Sequence, residues 1–261
     1  MIKKIDEQGR GDMVRFLEKD GALNLFFMAD MENFGMESRR HSFWGQYTRG
    51  ALSSVVLRFY QSMTISLSGS SDVDELIPFV RKGRTLAGEK SAVSQFQAIL
   101  VGRSYKEQYF SHLSAVRSFP DAPVKDVSLA RPEDCEELFD LQMAIKEFDM
   151  DKSGKEVYCD ALLSGTGRIA FLKREGLIVS SASSVAEYSG GAMIVAVATH
   201  PGHRKKGYAT ACLQTLCRSL LDEGKEPSLF YDNPGAGRIY RNLGFETAGF
   251  WAMGTILQED S

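Results

Sequence analysis

Three apolar stretches follow one another almost without pause: "RIAFLKR", "LIVSSASSVAEY" and "GAMIVAVAT", residues 168–199. The turns between them are Arg174-Glu175-Gly176 and Ser189-Gly190-Gly191. Links this short join antiparallel neighbours, because a parallel crossover needs a dozen residues or more. A three-stranded meander is therefore fixed before anything else is known. A helix pattern follows it directly. In "KKGYATACLQTLCRSLLDEG", Ala209, Cys212, Leu213, Leu216 and Leu220 recur at three-to-four spacing, while Lys206, Thr210, Gln214, Arg218 and Asp222 fall on another face. Gly224 stops it. A meander running into a helix excludes the βαβ start of a doubly wound dinucleotide fold.

The surrounding segments complete the pattern. "VSLARPEDCEELFDLQMAI" predicts a short strand and a helix opened by Pro132 and Glu133, and "KEVYCDALLSG" a second helix ended by glycine. "EPSLFYDN" is a strand. Asn233 then caps a helix with Pro234 at its first position, Gly244 closes it, and "FETAGFWAMGTIL" is the last strand. The order is β-α-α-β-β-β-α-β-α-β, an α+β (mixed α/β) domain. "RSFPDAPVKDV" breaks helix and strand alike with two prolines, which sets two domains, 1–120 and 124–261. The first half carries a fainter copy of the same order from "SFWGQYTRG" onward: three strands, the helix "DVDELIPFVRK", the strand "RTLAGE", the helix "SAVSQFQAIL" and a final strand "YKEQYFSHLSAV".

Charge narrows the functions. A formal net charge of -3 over 261 residues gives no field for nucleic acid or an anionic membrane. No apolar run reaches the ~20 residues of a membrane span, and "MIKKIDEQGRGDMVRFL" lacks the apolar core of a secretory signal. The four cysteines, Cys135, Cys159, Cys212 and Cys217, lack metal-site or disulfide-scaffold spacing and are expected as small core residues of a cytoplasmic protein.

The chemistry lies in "HPGHRKKGYAT". A helix N-terminus presents unpaired N–H groups and the positive end of its dipole. With Gly207 allowing close approach and Arg204, Lys205 and Lys206 beside it, this turn predicts an anion cradle. His200 and His203 lack a carboxylate or thiol partner, so no metal site is expected.

"RKKGYA" fits Arg/Gln-x-x-Gly-x-Gly/Ala, and with "VAVATHPGHRKKGYAT" and "YDNPGAGRIYRNLGF" the region 124–258 resembles the GNAT acetyltransferase superfamily. It is most similar to two-part bacterial members whose N-terminal half is a degenerate GNAT-like copy. The resemblance implies the GNAT acyl-CoA N-acyltransferase fold, acetyl-CoA as acyl donor and a small-molecule or protein amine as acceptor. It implies that Val197, Ala198 and Thr199 line the pantetheine arm. Arg204, Lys205, Lys206, Gly207, Tyr208, Ala209 and Thr210 would hold the pyrophosphate. Asn233 would touch the cofactor, and Tyr240 would direct its hydroxyl to the CoA sulfur.

On spacing alone Tyr240 also reads as core, and Asn233 as a helix cap. The general base is open. "AMIVAVAT" has no acid where some members of the superfamily carry a glutamate. Glu187, or Glu147, Asp149 and Asp151 of "KEFDMD", are the candidates, each more readily read as a surface charge than as the base. A CoA-binding sensor without turnover is the alternative function.

Overall fold

The computed structural model describes residues 1–114, 126–148 and 154–258. Pro120 and Pro123 of the expected boundary, with Asp149 and Asp151, lie outside the described residues. The chain forms two compact units, Met1–Phe110 with Thr247–Ser261, and Ser111–Glu246.

The first unit begins with β1 (Ile2–Lys4), α1 (Arg10–Leu17) and α2 (Leu25–Phe34), a stretch without an expected element order. The expected series follows: β2 (His41–Thr48), β3 (Ala51–Phe59), β4 (Ser62–Leu67), α3 (Val73–Val80), β5 (Thr85–Glu89), the short α4 (Lys90–Ser94) and β6 (Lys106–His112). The second unit carries β7 (Val127–Leu129), α5 (Cys135–Met143), α6 (Lys155–Ser164), β8 (Ile169–Arg174), β9 (Leu177–Tyr188) and β10 (Gly191–Thr199). It continues with α7 (Tyr208–Leu221), β11 (Glu226–Tyr231) and α8 (Pro234–Asn242).

The meander is as expected, since β8, β9 and β10 pair antiparallel in sequence order. The strands are buried on both faces, so period-2 alternation splits their side chains between two cores. Ala170 and Leu172 of β8 join the α7 core with Cys212, Leu216 and Leu220. Ile169 and Phe171 join the α5–α6 core with Leu138 and Leu141. The first unit repeats this: Val56 and Ile65 face the α3 core, and Val55 and Leu57 face α1 and α2.

The last strand departs from expectation. β12 (Glu246–Thr255) belongs, apart from its first residue, to the first unit, where it pairs antiparallel with β5, Trp251 opposite Glu89. The end of β6 goes the other way: Ser111 onward belongs to the second unit, where Leu113 N donates to Pro227 O at 2.8 Å. The chain order of strands was right, but the expected assignment of 124–261 to one domain differs from these units at both ends. Side-chain alternation sets a strand's buried faces and leaves its partner to long-range packing.

The cysteines divide. Cys212 and Cys217 are buried and free, as expected. Cys135 and Cys159 are also buried but form a disulfide between α5 and α6, which corrects the expectation of unpaired core thiols. Sequence spacing missed it because the partners are 24 residues apart on different helices. Among the described residues no helix is long and apolar enough to cross a membrane.

Candidate functional site

The site arises where two parallel strands part. β10 pairs with β11 only over Gly191–Ile194 and Glu226–Leu229. Beyond that β10 keeps β9 alone, with Ala198 opposite Ser181 and Thr199 opposite Ser180. Its register shifts between Val195 and Ala198, and Ala196 sits at φ 50°, marking a bulge. The β11-facing edge of Val197, Ala198 and Thr199 is thereby left without a strand partner among the described residues. Ligands of open α/β sheets collect at such divergent strand ends.

A cavity of about 530 Å³ occupies the gap. Val197, Ala198 and Thr199 form one wall. Arg204, Lys205, Gly207, Tyr208, Ala209 and Thr210 form the end at α7, together with His203. Asn233, Ala236 and Ile239 of the α8 segment form another side, and Ile145 and Glu147 face them. Every expected cofactor residue but Lys206 is thus on this cavity. Lys206 is exposed and not part of its wall.

Backbone conformation opens the α7 end. Gly207 is the N-cap in the left-handed region, φ 77° and ψ 4°, and no side chain caps the helix. Lys205 is left-handed too, φ 64°. Turns of this type aim successive N–H groups into one concavity and favour an anion. A Cβ on Gly207 would meet nothing within 4 Å. Glycine is therefore required by conformation and not by crowding within the chain; the left-handed region costs an L-residue about 1–2 kcal/mol.

Arg204 spans the cavity mouth. Its Nε donates to Thr199 O at 3.2 Å and its Nη1 to Glu147 Oε1 at 2.9 Å. The Arg204 hydrogen bond holds the Glu147 carboxyl below its usual range. This pair is solvent-exposed, so the guanidinium is released at little cost. His200 Nδ1 accepts from Gly202 N at 3.3 Å and its ring meets His203 edge-on at 5.8 Å. Those contacts give the two histidines a loop-forming role, although His203 also reaches the cavity wall.

Asn233 is the expected helix cap and also stands on the cavity. Its Oδ1 accepts from Gly235 N at 2.7 Å as the α8 cap, and it lines the cavity. Ala236 and Ile239, unmentioned at the sequence level, follow it at intervals of three; that helical spacing was the available signal. Gly237 lies between them because a Cβ there would run into the Tyr231 ring.

Tyr240 is 8% exposed and belongs to the α7 core, its ring 5.5 Å from Tyr231 and 6.0 Å from Phe245. It is not itself a wall residue, but it follows cavity-lining Ala236 by four positions, on the same helical stripe. Burial, with the nearby Cys217 thiol adding to it, pushes its phenol up to about 12. The hydroxyl stays protonated across the physiological range.

Glu187 is neither a surface charge nor near the cavity. It is the penultimate residue of β9, next to Tyr188, which pairs with Gly191 at the opposite end of β10 from Thr199. At 6% exposure it accepts from Arg168 Nε at 2.9 Å, Ser184 Oγ at 2.6 Å and Lys225 Nζ at 3.1 Å. Burial alone would raise its carboxyl, but these donors outweigh burial and hold it below the usual range. Arg168 and Lys225 likewise hold Glu223 down at about 2. This ionic cluster ties β9 to the far end of α7 and is structural. Of the named candidate bases among the described residues, Glu147 alone reaches the cavity.

Residues 158–253, from α6 through the cradle to β12, match the GNAT acetyltransferase family. A GCN5-related N-acetyltransferase from Sphaerobacter thermophilus is similar in structure, with a TM-score of 0.65 at 15% identity over 100% of this chain and 97% of that one. One from Kribbella flavida gives 0.62 at 16% identity over 90% and 95%. A tandem GNAT protein from the clavulanic acid biosynthesis pathway gives 0.62 at 12% identity over 100% and 99%. At such identities these likenesses show the fold. Comparison with curated proteins finds no match. The family match covers the cradle and its flanking elements, and the solved structures share the two-part GNAT fold along the whole chain.

Proposed function

We propose that the second unit binds acetyl-CoA in this cavity and transfers the acetyl group to a primary amine, small-molecule or protein, by direct attack on the thioester. The observation that carries this reading is the uncapped, glycine-led N-terminus of α7, open to a cavity walled by a free strand edge.

The residues present fit the donor. The first-turn N–H groups of α7 suit a diphosphate, and Arg204 and Lys205 neutralise it. The Val197–Thr199 edge, without a strand partner among the described residues, suits the amides of an extended arm, in the manner of an added strand. Bound acetyl-CoA supplies an acyl carbon activated as a thioester. Tyr240, kept protonated by burial, is the proposed proton donor to the departing sulfur, and Asn233 holds the α8 end in place beside it. Glu147 is the candidate base; an anion that draws Arg204 away would free its carboxylate.

A CoA-binding module without turnover is the second reading. One observation favours it: the carboxylate on the cavity wall is engaged by Arg204. Thiol release from acetyl-CoA over a panel of amines, run beside a thermal-shift titration, separates the two. Transfer predicts both a stabilised protein and amine-dependent thiol release. Stabilisation without release on any amine gives the second reading, and no stabilisation at millimolar acetyl-CoA overturns both. Gly207→Val should weaken the stabilisation at least tenfold in acetyl-CoA concentration, because a branched side chain disfavours the left-handed turn and stands before the N–H groups.

A further inference from the structure

The first unit has a cavity of its own, of about 430 Å³, at the corresponding place in its fold. β4 and β5 run parallel over Ser62–Ile65 and Thr85–Gly88 and then part, as β10 and β11 do. Ser66, Ser68, Glu89 and Ser91 line the gap, with Asp20 and Asn24 closing it.

Its chemistry is the reverse of the second unit's. Among the described residues no lysine, arginine or histidine lines it. Neither nearby helix end is open: Asp72 Oδ1 accepts from Glu75 N at 3.1 Å to cap α3, and Glu89 Oε2 accepts from Ser91 N at 2.8 Å and Ala92 N at 3.2 Å to cap α4. Two carboxylates, Asp20 and Glu89, face the space instead. Two buried acceptors accompany them. Asn24 is 4% exposed, and its Nδ2 donates to Leu17 O at 2.8 Å, which fixes the amide and leaves Oδ1 without a partner among the described residues. Ser66 is 8% exposed, and its hydroxyl likewise has no partner among them. Both residues line the cavity, so the donors these oxygens lack within the chain come from what occupies it, water or ligand. Leu23, Ile65 and Leu67 add apolar surface.

We propose that the first unit's cavity is a binding site for a small organic ammonium ion, its N–H groups directed to Asn24, Ser66 and the two carboxylates and its hydrocarbon part to the leucines. A diphosphate is excluded there by charge and by filled helix ends. The proposal does not depend on acetyl transfer by the second unit.

Butylamine, with butanol as its neutral isostere, tests this on the full chain by calorimetric and NMR titration, with and without saturating CoA. The expected result is saturable butylamine binding at least tenfold tighter than butanol, unchanged by CoA. Asp20→Asn, at an exposed carboxylate, and Ser66→Val should each weaken it at least tenfold while CoA still binds each variant as it does the parent. Equal binding of the alcohol, loss of the amine when CoA is added, indifference to both substitutions, or no saturable binding at millimolar amine would each overturn the proposal.

Discussion

The two units part a pair of parallel strands in the same way and then treat the gap oppositely. In the second, the helix after the gap begins at a glycine with no side-chain cap, and Arg204 and Lys205 stand beside it. In the first, the equivalent helix begins at Asp72, which accepts from Glu75 N while its own N–H donates to Gln46 Oε1 at 2.9 Å. One helix end offers donors to a ligand; the other has used them within the chain. Similar backbone geometry therefore does not imply similar ligands, because who satisfies the first-turn N–H groups decides the sign of what binds.

The largest test reverses the charge of the open end. Arg204→Glu with Lys205→Glu should weaken acetyl-CoA binding by roughly a thousandfold, since each hydrogen bond to a charged group is worth about 1.5–3 kcal/mol. Asp72→Ala in the first unit should leave that affinity unchanged in the same calorimetric titration. If Asp72→Ala creates a second diphosphate site, the capping account gains; if the double variant still binds, the open end is not the cradle.

The next difference is covalent, for all four cysteines lie in the second unit. Closing a loop of 24 residues stabilises by about 3 kcal/mol in the chain-entropy view. Cys135→Ser should lower the protection of second-unit amides in hydrogen exchange and spare the α1–α2 region of the first. Thiol titration of the unfolded protein should rise from two groups to four on reduction; four before reduction would refute the bridge.

Tyr240→Phe comes third. It keeps the packing against Tyr231 and Phe245, so melting should barely move, while loss of a proton donor should cut turnover about a hundredfold. Unchanged turnover would return Tyr240 to the core and leave the two cavities differing only in binding.

The smallest effect is one of pH, and it runs in opposite directions in the two units. Asp30, on α2 and 9% exposed, is raised by burial to about 7. Between its ordinary value of about 4 and that figure the native state holds the extra proton, so the first unit should gain about 2 kcal/mol as pH falls from roughly 7.5 to 5. Glu187 and Glu223 are depressed, Glu223 to about 2. Their stabilisation is complete above about pH 4.3, the ordinary glutamate value, and is lost as pH falls towards 2. Unit-resolved hydrogen exchange checks both, and Asp30→Asn should flatten the first-unit response alone.

Much of this molecule is local and so was legible in its sequence. The meander followed from two tight turns, α7 from its apolar spacing, and the cradle from a glycine after a strand with cations beside it. The walls formed by Val197–Thr199, Gly207–Thr210 and Asn233 all lie on elements of that kind. What tertiary structure alone decided depends on groups far apart in the chain. Which unit receives β12 is set by pairing with β5, about 160 residues away. Cys135 meets Cys159 because α5 and α6 pack together. Glu187 is buried because Arg168, Lys225 and Ser184 converge on it from three segments. Glu147 reaches the cavity mouth from the segment after α5. Periodicity and turn chemistry act over a few residues and fix elements and their faces; strand partners, buried ion pairs and cavity walls are set by packing free energy shared across the fold, which no short window of sequence contains.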